Sequence, residues 1–260
     1  MSKIDLNRVW DDAKAMGAAN KDLLAAIAGM FVLLPSVVGN LLIKQPVAIR
    51  QQSAVAKDLP AGETYRQLMS FYTDNWPVVL GLTIALAFGL LTMLVLLLRH
   101  ERLTVGESLK AAVILLPGYI VANLVEGFAF AFSFLLFIIP CVYVMGRFSL
   151  LAAAAAAERR SNPVEQLQRS WALTSQNGWR IGVMFVILWL TAQIVNIVAT
   201  TMVGLVGELV LPKDLADLVV SIVGGVVSAG FAVFVALLTA ATYRAATEPA
   251  PSPWLPGAER

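Results

Sequence analysis

Residues 77–98 read PVVLGLTIALAFGLLTMLVLLL, 22 positions without a charged side chain. As an α-helix such a run extends about 33 Å, slightly more than the roughly 30 Å hydrocarbon core of a bilayer. Each central Leu, Ile, Phe or Val favours insertion by roughly 0.3–0.6 kcal/mol. Arg99, His100, Glu101 and Arg102 stop the run. This stretch predicts a membrane-spanning helix, and the rest of the chain is read outward from it.

The whole composition agrees. The 260 residues are 58% hydrophobic and 14% charged, against roughly 45–50% and 25% in soluble domains. The expected fold is all-α, a polytopic transmembrane bundle of about six spans with amphipathic interfacial helices. Apolar runs place the spans at 23–43, 77–98, 105–125, 128–146, 179–206 and 215–243, within a membrane domain covering 23–247. An amphipathic segment, 1–22, precedes this domain, and a Pro-rich tail, 248–260, follows it. The net charge of +2 gives no reason to expect a nucleic-acid partner. The start of the chain lacks the basic-then-apolar pattern of a signal peptide, so the first span is expected to remain as an anchor.

Local signals fill in the connections. Residues 4–16 put Ile4, Val9, Trp10, Ala13 and Met16 near one helical face. That face suits either the membrane surface or the protein itself. Pro35 is expected to kink the first span. Residues 44–76 form an external loop, and Glu63–Trp76 within it reads as an amphipathic helix. Thr104-Val-Gly-Glu107 is a capping box opening the third span. Glu126-Gly127 reads as a tight turn between the third and fourth spans. Phe148–Ala157 then continues as an interfacial or tilted helix. Asn162-Pro163 is a helix start, with an N-cap followed by proline at the first helical position. It opens an amphipathic helix in the loop 158–178, and Asn177-Gly178 ends that helix.

Lys and Arg set the orientation. With both ends on one side, 14 of the 19 fall on that side and 5 on the other. The positive-inside rule then makes both termini cytoplasmic.

Few residues suggest chemistry. Metal hydrolysis needs clustered His or Cys ligands, and the chain has one His, His100, and one Cys, Cys141. Neither a phosphate-binding loop nor a nucleophile elbow is present. No cofactor, metal site or catalytic residue is expected. Gln193 and Asn196, three apart in the fifth span, either line a polar cavity or hydrogen-bond to a neighbouring helix. Arg147 either pairs with a carboxylate inside the bundle or snorkels to the interface. Gly224, Ser228, Ala232, Ala236 and Ala240 form a small-residue stripe on the sixth span, suited to packing inside the bundle or to self-association. Arg147, Arg159, Arg160, Arg169 and Arg180 surround the amphipathic loop. They can attract anionic headgroups, at about 1 kcal/mol each, or simply fix topology.

One pattern resembles a known family. It comprises Ile138-Ile-Pro-Cys-Val-Tyr-Val-Met-Gly-Arg147, then Glu158, then Leu167-Gln-Arg-Ser-Trp-Ala-Leu-Thr-Ser-Gln-Asn-Gly-Trp-Arg180. Val9-Trp10 and Tyr243-Arg244 also fit. The pattern is similar to the membrane domain of the glycerophosphoryl diester phosphodiesterase family and to related bacterial inner-membrane proteins of the YciC-like group. Cys141 stands where those proteins usually have Gly, and Gln176-Asn177-Gly178 reorders their Gly-Asn turn. The resemblance implies a six-helix protein of the bacterial inner membrane. It does not imply phosphodiesterase activity, which belongs to a separate soluble barrel. The function expected is non-enzymatic: binding of membrane lipids, anionic ones above all, or of a membrane-protein partner or a second copy, in support of envelope integrity. The alternative is a transporter or channel for a small solute or lipid, for which broken helices and midplane polar residues argue. A third reading, an intramembrane enzyme, would need a clustered nucleophile and base.

Overall fold

A computed structural model describes residues 4–43, 61–99 and 103–247. Part of the expected external loop (44–60), the tail (248–260) and His100 lie outside the described residues. Among the described residues every regular element is helical. Six helical segments are long and apolar enough to cross a membrane: Leu6–Leu42, Met69–Leu98, Val105–Leu136, Ile139–Glu158, Gly178–Gly207 and Lys213–Thr247. The protein is an integral membrane helical bundle.

The first span is built from α1 (Leu6–Ala28), a wide π-helical turn (Gly29–Leu33) and α2 (Leu34–Leu42). Leu34 donates to the Gly29 carbonyl across that turn, one residue ahead of Pro35. The wider turn accommodates a proline that has no N–H for the helical ladder. The first turns of α1 do not lie free on a membrane surface. Val9, Ala13 and Met16 are buried in the core, and Trp10 packs edge-on against Phe234, with ring centroids 5.4 Å apart.

α3 (Ala61–Leu98) joins the expected amphipathic helix and the second span into one helix that runs through Pro77. α4 (Val105–Leu136) opens on the capping box: Glu107 donates its N–H to the Thr104 hydroxyl, and Thr104 donates its own to Glu107. α4 then continues straight through Glu126 and Gly127, so the expected turn there is absent. The break falls at Phe137, which is fully extended (φ −179°, ψ 164°). Pro140 explains the position. In a continuous helix its nitrogen would have to bond the Leu136 carbonyl, so the helix stops at Leu136 and restarts with proline in the first turn. The third and fourth spans therefore run over Val105–Leu136 and Ile139–Glu158 instead of 105–125 and 128–146.

The fourth span is itself two pieces, α5 (Ile138–Phe148) and α6 (Leu151–Glu158). Eleven residues rise only about 17 Å, so α5 cannot cross a bilayer alone. α6 is packed inside the bundle. Its alanines sit in the centre of the bundle, packed among α3, α4, α9 (Lys213–Thr247) and α7 (Pro163–Leu173). α8 (Gly178–Val210) packs on α5 and α9.

The α5–α8 contact is close because glycines form it. A Cβ at Gly146 would collide with the Gly178 carbonyl, and one at Gly182 with the Val142 carbonyl. Gly178 and Gly182 constitute a small-xxx-small pair, which lets two helix backbones approach.

Candidate functional site

The polar residues gather at one end of the bundle, where α6 ends and α7 begins. Asn162 caps α7 by accepting from the Val164 N–H at 3.0 Å, and Pro163 follows as expected. α7 ends at Leu173, so Gly178 starts α8 and does not close the loop helix.

Glu158, the last residue of α6, is the hub. It accepts from Arg160 Nε (2.6 Å), Arg169 Nε (2.5 Å) and the Tyr243 hydroxyl (2.9 Å). Arg160 reaches on to Glu165 at 3.4 Å. The hydrogen bond that Arg160 donates to Glu158 holds its guanidinium above its ordinary pKa. Arg159 adopts the left-handed conformation at φ 54°, which ends α6 and turns the chain toward α7. Arg99 donates to the Ala156 carbonyl at 3.2 Å, a cation placed at a helix C-terminus. Two of the five expected headgroup arginines, Arg160 and Arg169, are thus engaged by one carboxylate.

Arg147 adopts neither of its expected arrangements. Its side chain does not reach outward, since the residue is only 4% exposed. Nor does any carboxylate among the described residues pair with it. Its guanidinium carbon lies 4.0 Å from the centre of the Trp171 ring and 5.6 Å from that of Tyr143. The Arg147 carbonyl, at the C-terminal end of α5, accepts from Ser170 Oγ (2.8 Å) and Thr174 Oγ1 (3.1 Å). These two hydroxyls satisfy a carbonyl that has no helical partner. The guanidinium Nε and Nη1 are buried without a protein acceptor.

The chain's start is fastened to the same place. The Ile4 N–H donates to Asn177 Oδ1 at 3.3 Å, and Arg180 donates to the Ile4 carbonyl at 3.4 Å. Arg244, near the end of α9, pairs with Asp12 at 3.4 Å. The first described residues, the 158–180 segment and the end of α9 therefore share one end of the bundle. Trp10, Trp171 and Trp179 are exposed there, as aromatic residues are at headgroup level.

The other expected residues are dispersed. Asn196 donates to the Gly224 carbonyl on α9 at 3.4 Å, while Gln193 is exposed on the outer face of α8. A cleft of about 470 Å³ between α8 and α9 is lined by apolar residues such as Met202, Val206 and Val219. Neither Gln193 nor Asn196 is among the residues that line it. In the stripe, Gly224 faces Thr200, Ala236 and Ala240 are buried, and Ser228 and Ala232 are half-buried. Cys141 is buried. Among the described residues no group of three or more His, Cys, Asp or Glu could hold a metal.

Sequence reasoning did not find the Glu158 hub or the stacking of Arg147, since their partners come from α7 and α9. The GxxxG spacing of Gly178 and Gly182 was the one local signal for the close α5–α8 contact. Comparison with known proteins adds nothing further: no family model, curated protein or solved structure matches the chain.

Proposed function

We propose that this chain is a non-enzymatic integral protein of the bacterial inner membrane that binds anionic lipids through the basic end of its bundle. In this reading both termini are cytoplasmic and the protein supports envelope integrity. The observation that carries it is the convergence of Arg147, Arg159, Arg160, Arg169 and Arg180 with exposed Trp171 and Trp179 at one end of six apolar spans. Basic residues at that level gain about 1 kcal/mol each from anionic headgroups. The resemblance noted above supports the location.

Arg147 is buried, and the other four arginines divide into two sets. Arg160 and Arg169 are held by Glu158 and shape the loop. Arg159 and Arg180 are the more exposed two, and in this reading they face the headgroups. The test is native mass spectrometry of the protein from mild detergent, with phosphatidylglycerol or phosphatidylcholine added. Wild type retains phosphatidylglycerol preferentially. The double variant Arg159→Gln, Arg180→Gln loses that preference by about fivefold per residue removed. Equal retention of the two lipids by wild type refutes the reading.

A further inference from the structure

Arg147 is a buried charge whose stacking contacts leave it incompletely satisfied. Ring contacts occupy the faces of a guanidinium, whereas its five N–H donors point outward in its plane. Trp171 and Tyr143 supply the faces. In the plane, Nε and Nη1 have no protein acceptor. The nearby loop carboxylates are committed elsewhere: Glu158 to Arg160, Arg169 and Tyr243, and Glu165 to Arg160 and Asn162. Uncompensated burial of an ion is expensive, and such groups are normally paired.

A second feature lies beside it. The stem of Arg147 crosses Gly178, the first residue of α8; a Cβ there would stand 2.8 Å from Arg147 Cδ. α8 is 33 residues long, and its N-cap residue, Asn177, makes no side-chain cap. The Asn177 carboxamide oxygen instead accepts from the Ile4 N–H. The first intrahelical bond of α8 runs from the Ile181 N–H to the Asn177 carbonyl. The N–H groups of Gly178, Trp179 and Arg180 thus precede the ladder, at the positive end of the helix dipole. Unfilled helix N-termini bind anions, and a guanidinium fork matches phosphate oxygens in two-point geometry.

We propose that Arg147 and the N-terminus of α8 form a binding site for a single phosphate group. Arg147 supplies the fork, the α8 amides supply neutral donors, and Trp171 holds the guanidinium in place. The phosphate is either a lipid headgroup or a free phosphate ion, and the anionic-lipid reading above bears only on which of the two it is. Lysine could not replace Arg147, because a point charge lacks both the fork and the flat face for stacking.

The test uses the full chain in detergent and three probes: phosphatidic acid, the matched diacylglycerol without phosphate, and inorganic phosphate. Native mass spectrometry reads retained lipid, and the melting midpoint reads inorganic phosphate. Wild type retains one phosphatidic acid per protomer in preference to diacylglycerol, or is stabilised by inorganic phosphate. Arg147→Gln weakens that binding about tenfold or more, and Arg147→Lys weakens it nearly as much. Gly178→Ala, which presses a methyl on the Arg147 stem without removing charge, weakens it severalfold. Gln193→Leu, on the exposed face of α8 and outside this end of the bundle, leaves it unchanged. Displacement of phosphatidic acid by inorganic phosphate assigns the site to the free ion; retention of the lipid against inorganic phosphate assigns it to the headgroup. If wild type responds to neither phosphate probe, or if folded Arg147→Lys binds like wild type, the site does not exist. Should Arg147→Gln fail to fold, Arg147→Lys and Gly178→Ala decide. Loss of phosphatidylglycerol selectivity in wild type, with an Arg147-dependent response to inorganic phosphate preserved, would refute the lipid reading and leave this site standing.

Discussion

Gly182→Ala is expected to destabilise the protein although it improves local helix propensity. Inside a helix, alanine is favoured over glycine by up to about 1 kcal/mol. At Gly182 the added Cβ would run into the Val142 carbonyl and approach the Gly146 nitrogen at 3.3 Å. Both are backbone atoms of α5, which cannot rotate away as a side-chain tip can. Relief requires α5 and α8 to separate along their contact, and overpacking of this kind costs about 1–3 kcal/mol. The control is Gly230→Ala. Gly230 also lies inside a helix, but nothing stands within 4 Å of its Cβ position, so the propensity gain is realised there. Together the two variants should differ by about 2–3 kcal/mol, or roughly 5–10 °C in melting midpoint for a chain of this size. The assay is thermal unfolding in mild detergent, followed by intrinsic fluorescence. Gly146→Ala should resemble Gly182→Ala, and the double variant should cost less than the two singles added, because both substitutions separate the same pair of helices. A Gly182→Ala protein that melts at or above wild type would show that the backbones are not in contact, and the assigned α5–α8 packing would be wrong.

Two further substitutions probe the rest of the bundle. Glu158→Gln removes the charge that two arginines share; the melting midpoint should fall by roughly 4–8 °C, more than for Arg160→Gln, and an unchanged midpoint would mean the hub does not hold the loop. Asn196→Leu should cost about 0.6 kcal/mol, typical of one interhelical hydrogen bond in a bundle, whereas Gln193→Leu on the exposed face of α8 should be neutral or stabilising; equal losses at both sites in the same unfolding assay would argue that Gln193 also has a buried partner.

What could be read from sequence is what local chemistry decides. The capping box at Thr104 and Glu107 and the helix start at Asn162 and Pro163 are complete within four residues, and both are present. The apolar run 77–98 needed no partner to be recognised. The errors come where a distant or competing constraint prevails. Glu126-Gly127 has turn composition, yet a helix in an apolar setting retains its backbone bonds unless something forbids them. Pro140 does forbid one, and so the break moved to Phe137. Arg147 ends an apolar run, which suggests a residue reaching for the interface. Its position is set by Trp171, 24 residues further on, which no local pattern announces.

The burial of α6 has a physical cause that bears on how the basic end is built. LAAAAAAE is weakly apolar residue by residue, so as a sequence it resembles a helix near the membrane surface. In lipid, however, helices gain little from apolar area, since tails and side chains are equally apolar; association depends on close packing. A helix of alanines is thin, and it can lie at the centre of a bundle where bulkier neighbours could not meet around it. Residues 151–156 are buried accordingly. The consequence lies at its end. A central helix delivers Glu158 to a point that Arg160, Arg169 and Tyr243 reach from different elements. Thin packing at α6 and glycine packing between α5 and α8 thus serve the same purpose: they draw the backbone of the fourth span inward, so that Arg147 and Glu158 lie among their partners. The small residues and the charged residues at this end of the protein are one design, and substituting either set should disturb the other.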